Sequence, residues 1–270
     1  MEYKFDQDVN VERTGENRFE IEISSDWNIV APNGGYLMAI AGKVISIISD
    51  YQIPLSMTAY YHKPASPGYA NLVIDRIIKS KRIITANISL IQNNRVVISY
   101  SGMYTQKNAF SGITLVQKQP ILPDPSVCIE IPNSPLSFFK QVRLAVPREQ
   151  LDWLQGVEGK ETFFSGYFSF QDNRPMDALS VLLFVDATPP PILRKTGPLA
   201  WVPTIELTVQ VRNIPTGSSL GFISKTRFTT NGLTETDIEL WSEKGRIVAL
   251  GRQLAFIKEN VLEKSTPMEK

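Results

Sequence analysis

His62 and Cys128 are the only histidine and the only cysteine in the 270-residue chain. With one of each, no His/Cys zinc cluster can be assembled and no disulfide can close within the chain. Cys128 lies in a proline-rich stretch and is expected to be chemically idle. His62 sits in an aromatic, strand-like run and is expected to be a packed strand residue. Gly217-Ser218-Ser219-Leu220-Gly221 satisfies the G-x-S-x-G pattern of a serine nucleophile. That chemistry needs a strand, a sharp turn and then a helix. Here Phe222 to Phe228 continues as an alternating strand and the histidine lies upstream, so the motif is expected to be a hairpin loop.

Three polar residues stand in apolar surroundings. Asp186 follows Val181-Leu182-Leu183-Phe184-Val185, an apolar helical run. A carboxylate there meets the negative end of its own helix dipole, and apolar neighbours raise its pKa. It is either a proton-accepting group or an ordinary charged helix end. Thr204 opens a strand whose apolar positions are Ile205, Leu207, Val209 and Val211, so alternation puts it on the other face, away from a helix-packed core. Gln253 lies in Ile247 to Ile257, which is apolar on both parities and reads as a strand buried on both faces. A buried amide must be hydrogen-bonded. Its same-parity neighbours Ala249, Gly251 and Ala255 are small, leaving room for substrate or water. The alternative is a glutamine tied to local backbone.

The elements that must position these residues come in two similar sets. Asn33 is a plausible N-cap for a helix over Tyr36 to Ile48, where Leu37, Ile40, Ala41, Val44, Ile45 and Ile48 recur at helical spacing. Strands are expected over 57–62, 71–78, 83–92 and 96–104, with Asn93-Asn94 as a hairpin turn. The second half repeats the plan. A strand over 163–170 and a short apolar helix over 176–185 come first, with Asp177 in the first turn of that helix and Pro189-Pro190-Pro191 beyond it. Strands follow over 205–211, 221–228, 234–241 and 247–257. Leu90 to Val97 lines up with Leu240 to Val248 if one residue is inserted in the turn; Gly102 then matches Gln253. The units are expected at 1–115 and 161–260, joined by a proline-rich linker or wrapping segment at 116–160 and followed by a polar tail at 261–270. One helix on a curved antiparallel sheet, twice, is an α+β arrangement whose sheets can join edge to edge.

Composition narrows the function classes. Hydrophobic residues make up 43% and net charge is +1, as in an ordinary globular chain without the basic footprint of a nucleic-acid binder. Lys79, Lys81 and Arg82 form the densest basic cluster, read as a solvated strand end. No apolar run reaches the ~20 residues of a membrane helix. The polar, charged stretch Met1 to Asn10 is no signal peptide, so a cytoplasmic protein is expected.

The residues resemble one family. Trp27-Asn28-Ile29-Val30-Ala31-Pro32-Asn33-Gly34-Gly35-Tyr36 is similar to the Pro-Asn-Gly-Gly helix entry of double-hotdog, thioesterase-like proteins. Further similar segments are Ala59-Tyr60-Tyr61-His62-Lys63-Pro64, Leu90-Ile91-Gln92-Asn93, Val185-Asp186-Ala187-Thr188-Pro189-Pro190, Trp201 to Leu207 and Gly251-Arg252-Gln253-Leu254. The resemblance covers most of the chain outside about 116–160. It implies two fused hotdog domains, each a long helix wrapped by a curved antiparallel sheet. It also implies an acyl-CoA thioesterase of type II acting on an acyl-CoA substrate, with no cofactor or metal, in fatty acid metabolism, and homo-oligomers. In that family an Asp, a Thr and a Gln of the second half hold the attacking water. By position these are Asp186, Thr204 and Gln253. Gly34 and Gly35 become candidates for meeting the oxyanion through backbone amides, unless they serve tight packing alone. The Asp-x-Asn-Pro-x-His signature of hotdog hydratases is absent. A non-catalytic acyl-CoA or lipid-thioester binding protein is the main alternative, because a fold does not dictate its activity.

Overall fold

Asn33 starts the longest helix, and the reason is local. Its side-chain oxygen accepts from the Tyr36 amide at 2.9 Å, capping α2 (Gly34–Ile48). In a computed structural model describing residues 2–106, 112–115, 120–131, 135–159, 161–198 and 201–257, α2 is accompanied by α1 (Lys4–Asp8), α3 (Ala178–Val185) and α4 (Leu193–Thr196). The expected tail 261–270 lies outside the described residues. Asp177, expected inside the first turn, instead caps α3 in a reciprocal capping box with Ser180. The helix ends at Val185, before the proline run, with Asp186 as its C-cap.

The strands are β1 (Glu12–Arg13), β2 (Arg18–Ile23), β3 (Ile53–Tyr61), β4 (Gly68–Lys79), β5 (Ile83–Gln92), β6 (Arg95–Thr105), β7 (Cys128–Glu130), β8 (Val142–Pro147), β9 (Phe163–Phe170), β10 (Thr204–Val211), β11 (Ser219–Lys225), β12 (Thr229–Thr230), β13 (Leu233–Ser242) and β14 (Ile247–Phe256). They form one antiparallel sheet in the order β1-β2-β4-β5-β6-β3-β10-β14-β13-β11-β9-β8-β7, with β12 on β13. Outward from the β3–β10 pairing, the first half runs β3, β6, β5, β4, β2 and the second β10, β14, β13, β11, β9. Each half threads its strands in the same chain order around one helix. Even the irregularities match: β5–β6 breaks register at Leu90/Ile91 and β13–β14 at Leu240/Trp241. Those two leucines are the pair aligned from sequence. Asn93 and Asn94, both with φ near +50°, make the first hairpin turn.

Several elements depart from the expectations. Arg18–Ile23, unassigned from sequence, is β2, with Phe19, Ile21 and Ile23 buried on one face. Within the segment expected as linker or wrap, β8 pairs with β9 and β7 with β8, so its described part extends the sheet. Of its described prolines only Pro147 lies in a strand, at the last position of β8 and past the end of the β8–β9 ladder, where a missing donor is tolerated. Ser219 and Gly221 sit in β11, and no helix follows the G-x-S-x-G stretch. His62 is exposed instead of packed and pairs with Ser99 Oγ at 2.9 Å.

The two helices touch because α2 presents small residues. A Cβ on Gly35 would lie 2.5 Å from the Leu183 carbonyl oxygen, and one on Gly42 would lie 2.8 Å from a Leu182 methyl. A second tie comes from Arg174, whose side chain is 6% exposed. It bonds Asp6 on α1 at 2.6 Å and Asp177 at 2.5 Å, and it covers the rings of Phe5 and Phe170. Arg174→Ala removes two ion pairs to a buried guanidinium and its packing on two rings, so it is expected to cost about 2–3 kcal/mol. Urea unfolding checks this, the midpoint falling with the slope unchanged.

Candidate functional site

The carboxyl end of α3 abuts the amino end of α2, and Asp186 fills the junction. Its Oδ2 accepts from the Gly35 amide at 3.0 Å and from Asn33 Nδ2 at 3.1 Å. Asn33 Nδ2 also reaches the Asp186 carbonyl oxygen at 2.9 Å. The unfavourable dipole of its own helix is thereby met by the favourable one of α2. On the other side, Gln253 Nε2 donates to Asp186 Oδ1 at 2.9 Å and to Thr204 Oγ1 at 2.7 Å. Asp186, Gln253 and Thr204 thus form one hydrogen-bonded chain across β14 and β10.

Thr204 reaches this chain against the alternation read from the sequence. β10 breaks register against β14 between Thr204 and Glu206, leaving Ile205 as the extra residue. One inserted residue turns every side chain beyond it to the opposite face. Thr204 therefore lies opposite Ala255, on the face that Gln253 shares with the buried Leu207. The expectation that Thr204 points away from the core is corrected by this bulge.

β14 is not buried on both faces as expected. Leu250 and Phe256 are exposed, while Ala249, Gly251 and Ala255 are buried. The room beside Gln253 at Gly251 belongs to α3, since a Cβ there would collide with a Val185 methyl. The small residues bring helix and strand together, which aligns Asp186 over Gln253.

The electrostatics suit a proton acceptor. Burial pushes the Asp186 carboxyl up from its ordinary 3.8 to about 6; the amides of Gly35 and Gly34 and the Gln253 side chain hold it lower than burial alone would. Two residues read differently from sequence also belong here. Asn33 was visible only as a cap; its amide nitrogen binds Asp186. Tyr61, at the end of β3, has its hydroxyl 2.7 Å from the point where a Gly34 Cβ would stand, and Asp186 Oδ2 is 2.9 Å from that point. Its one sequence signal is parity, because Met57, Ala59 and Tyr61 share the inward face. Among the described residues no group of three or more His, Cys, Asp or Glu could hold a metal ion.

The raised carboxyl has a stability consequence. Because the folded pKa of about 6 exceeds the ordinary 3.8, protonation favours the folded state. That stabilisation is present at low pH and lost as pH rises through 6. Asp186→Asn removes the titration. The variant is expected to gain on the order of 2 kcal/mol over wild type between pH 4 and pH 7. Denaturant unfolding at both pH values checks this; a variant that loses ground at pH 7 contradicts it.

Comparison with curated proteins gives no match. Among solved structures, a chain provisionally named a thioesterase II from Thermobifida fusca YX is 28% identical, with a TM-score of 0.87 over 95% of this chain and 98% of that one. A conserved protein of unknown function with a hot dog fold from Alicyclobacillus acidocaldarius is 19% identical, with a TM-score of 0.84 over 97% of this chain and 100% of that one. The acyl-CoA thioesterase II TesB2 of Mycobacterium marinum is 15% identical, with a TM-score of 0.73 over 95% and 99%. The model of the acyl-CoA thioesterase N-terminal domain matches residues 23–105, and that of the acyl-CoA thioesterase C-terminal domain matches residues 122–257. The chain that places a buried carboxylate between two helix ends thus belongs to the acyl-CoA thioesterase family.

Proposed function

We propose that this protein, built as two fused hotdog units, hydrolyses an acyl-CoA to the free acid and CoA, with Asp186, Thr204 and Gln253 handling the attacking water. The observation that carries this reading is the chain from Asp186 through Gln253 to Thr204, closed by a carboxyl whose pKa of about 6 leaves it ionised at neutral pH yet basic enough to take a proton. Family membership supports the thioester as substrate.

The steps balance without a cofactor. Water sits against Asp186 Oδ1, with the hydroxyl proton of Thr204 turned to its oxygen. That oxygen attacks the thioester carbon as one water proton passes to Asp186. The carbonyl π pair moves onto oxygen, returns, and expels the CoA sulfur. The proton held by Asp186 then goes to the thiolate. Asn33, Gly34 and Gly35 hold the carboxylate. The amide of Gly35, expected at the oxyanion, is engaged by Asp186 Oδ2 and is assigned to the base instead.

Thiol release from acyl-CoAs of short, medium and long chain, and from an aromatic one, tests the reading. Wild type is expected to hydrolyse at least one, and Asp186→Asn to lose about 10²–10⁴-fold in kcat. Thr204→Val and Gln253→Ala should each lose about tenfold to a hundredfold, the worth of one hydrogen bond to a charged network. Tight acyl-CoA binding without hydrolysis by wild type replaces the enzyme with a binder.

A base must be ionised, so kcat/KM should climb about tenfold per pH unit up to pH 6 and level off above it. A pH-rate profile on the best substrate checks the midpoint. A profile flat from pH 5 to 8 removes Asp186 from the base role.

A further inference from the structure

Among the described residues, donor accounting around Asp186 leaves two protons without an acceptor. Both hydrogens of Asn33 Nδ2 are directed at Asp186, both of Gln253 Nε2 are given to Asp186 and Thr204, and the Gly35 amide is given to Asp186. The Thr204 hydroxyl accepts from Gln253 and keeps its own proton without an acceptor among the described residues. The other free proton belongs to Tyr61.

Tyr61 Oη is closed off from solvent and has no hydrogen-bond partner among the described residues. Buried hydroxyls are nearly always bonded, and an unbonded one costs stability that a phenylalanine would avoid. Its position is set by the sheet. Ala59 pairs with Leu207 and Tyr60 with Glu206, so Tyr61 lies just past the last rung, across from the bulge that turns Thr204 inward. The Oη approaches the start of α2 on the Oδ2 side of Asp186, yet no bond joins the two groups. Burial first, then the negative charges of Asp186 and Glu206, hold this phenol well above its ordinary range. It stays protonated and can only donate.

We propose that Tyr61 is a catalytic residue of the thioesterase reaction: its hydroxyl donates to the carbonyl oxygen of the bound thioester and stabilises the oxyanion formed when water adds. This rests on the thioesterase reading above. It divides the site in two, with Thr204 and Oδ1 on the water and Tyr61 on the electrophile. No proton leaves Tyr61. The π pair that moves onto oxygen is met by the O–H dipole and returns when the C–S bond breaks.

Tyr61→Phe tests it, since the ring that packs is retained and only the unpartnered hydroxyl is lost. The expected result is a fall of about 10²–10³-fold in kcat/KM, as for removal of one oxyanion donor, with the unfolding midpoint unchanged or raised. Two CoA analogues of the best substrate's chain length separate the roles. A thioether without a carbonyl should bind both proteins equally. A trifluoromethyl ketone, whose hydrate mimics the tetrahedral adduct of water, should bind the variant weaker by about the factor lost in kcat/KM. The pH-rate midpoint near 6 should not move. Undiminished kcat/KM, equal weakening of both analogues, or a shifted midpoint (the sign of a bond to Asp186) would each overturn the proposal. If wild type hydrolyses no acyl-CoA, the thioesterase reading fails and takes this one with it; active wild type with active Tyr61→Phe sinks Tyr61 alone.

Discussion

A carboxylate at the carboxyl end of α3 is seated on the amide end of α2. Taken alone, Asp186 is badly placed, buried and at the negative end of its own helix. The Gly35 amide and Asn33 amide supply the opposite polarity within 3.1 Å. That seat exists only if two helix ends come close enough for backbone to meet carboxylate, and residues 34 and 35 have no Cβ to prevent it. The same closeness is repeated along α2 at Gly42 and under α3 at Gly251. The packing of the molecule and the tuning of Asp186 are therefore one arrangement.

The balance within that arrangement explains a pKa near 6. Burial by itself would carry the group further toward neutrality, and three donors pull it back. Fewer donors would leave a carboxyl that is protonated at neutral pH. More solvent would leave one too weak as a base.

Much of this is legible in the amino-acid sequence. The α2 periodicity, the Asn33 cap and the paired hairpins follow from local rules, because nearest neighbours in the chain decide them. What escaped depends on distant partners. β2 and β8 are short, and their inward faces become apparent only when the rest of the sheet is there to cover them. The bulge at Ile205 leaves no mark in β10 itself, since one extra residue is defined only against β14; reading β10 in isolation put Thr204 on the wrong face. Asn33 looked fully used as a cap because the second end of its amide acts on a residue 153 positions away. Tyr61 looked like one more aromatic in an aromatic strand, and only its unpaired oxygen sets it apart.

The seam at β3–β10 bears on descent as well as on chemistry. A symmetric pair of identical units must carry every substitution twice, once on each side of the axis. Here the position matching Gln253 is Gly102, and the space above Gly102 is filled by Ile45. An unlinked pair could not hold glutamine on one side and glycine on the other. Joining the halves in one polypeptide removes that obligation and keeps each half at high local concentration beside the other. One side is then free to become packing while its counterpart keeps the polar chain, and the pseudo-symmetric sheet carries a single, unsymmetric centre.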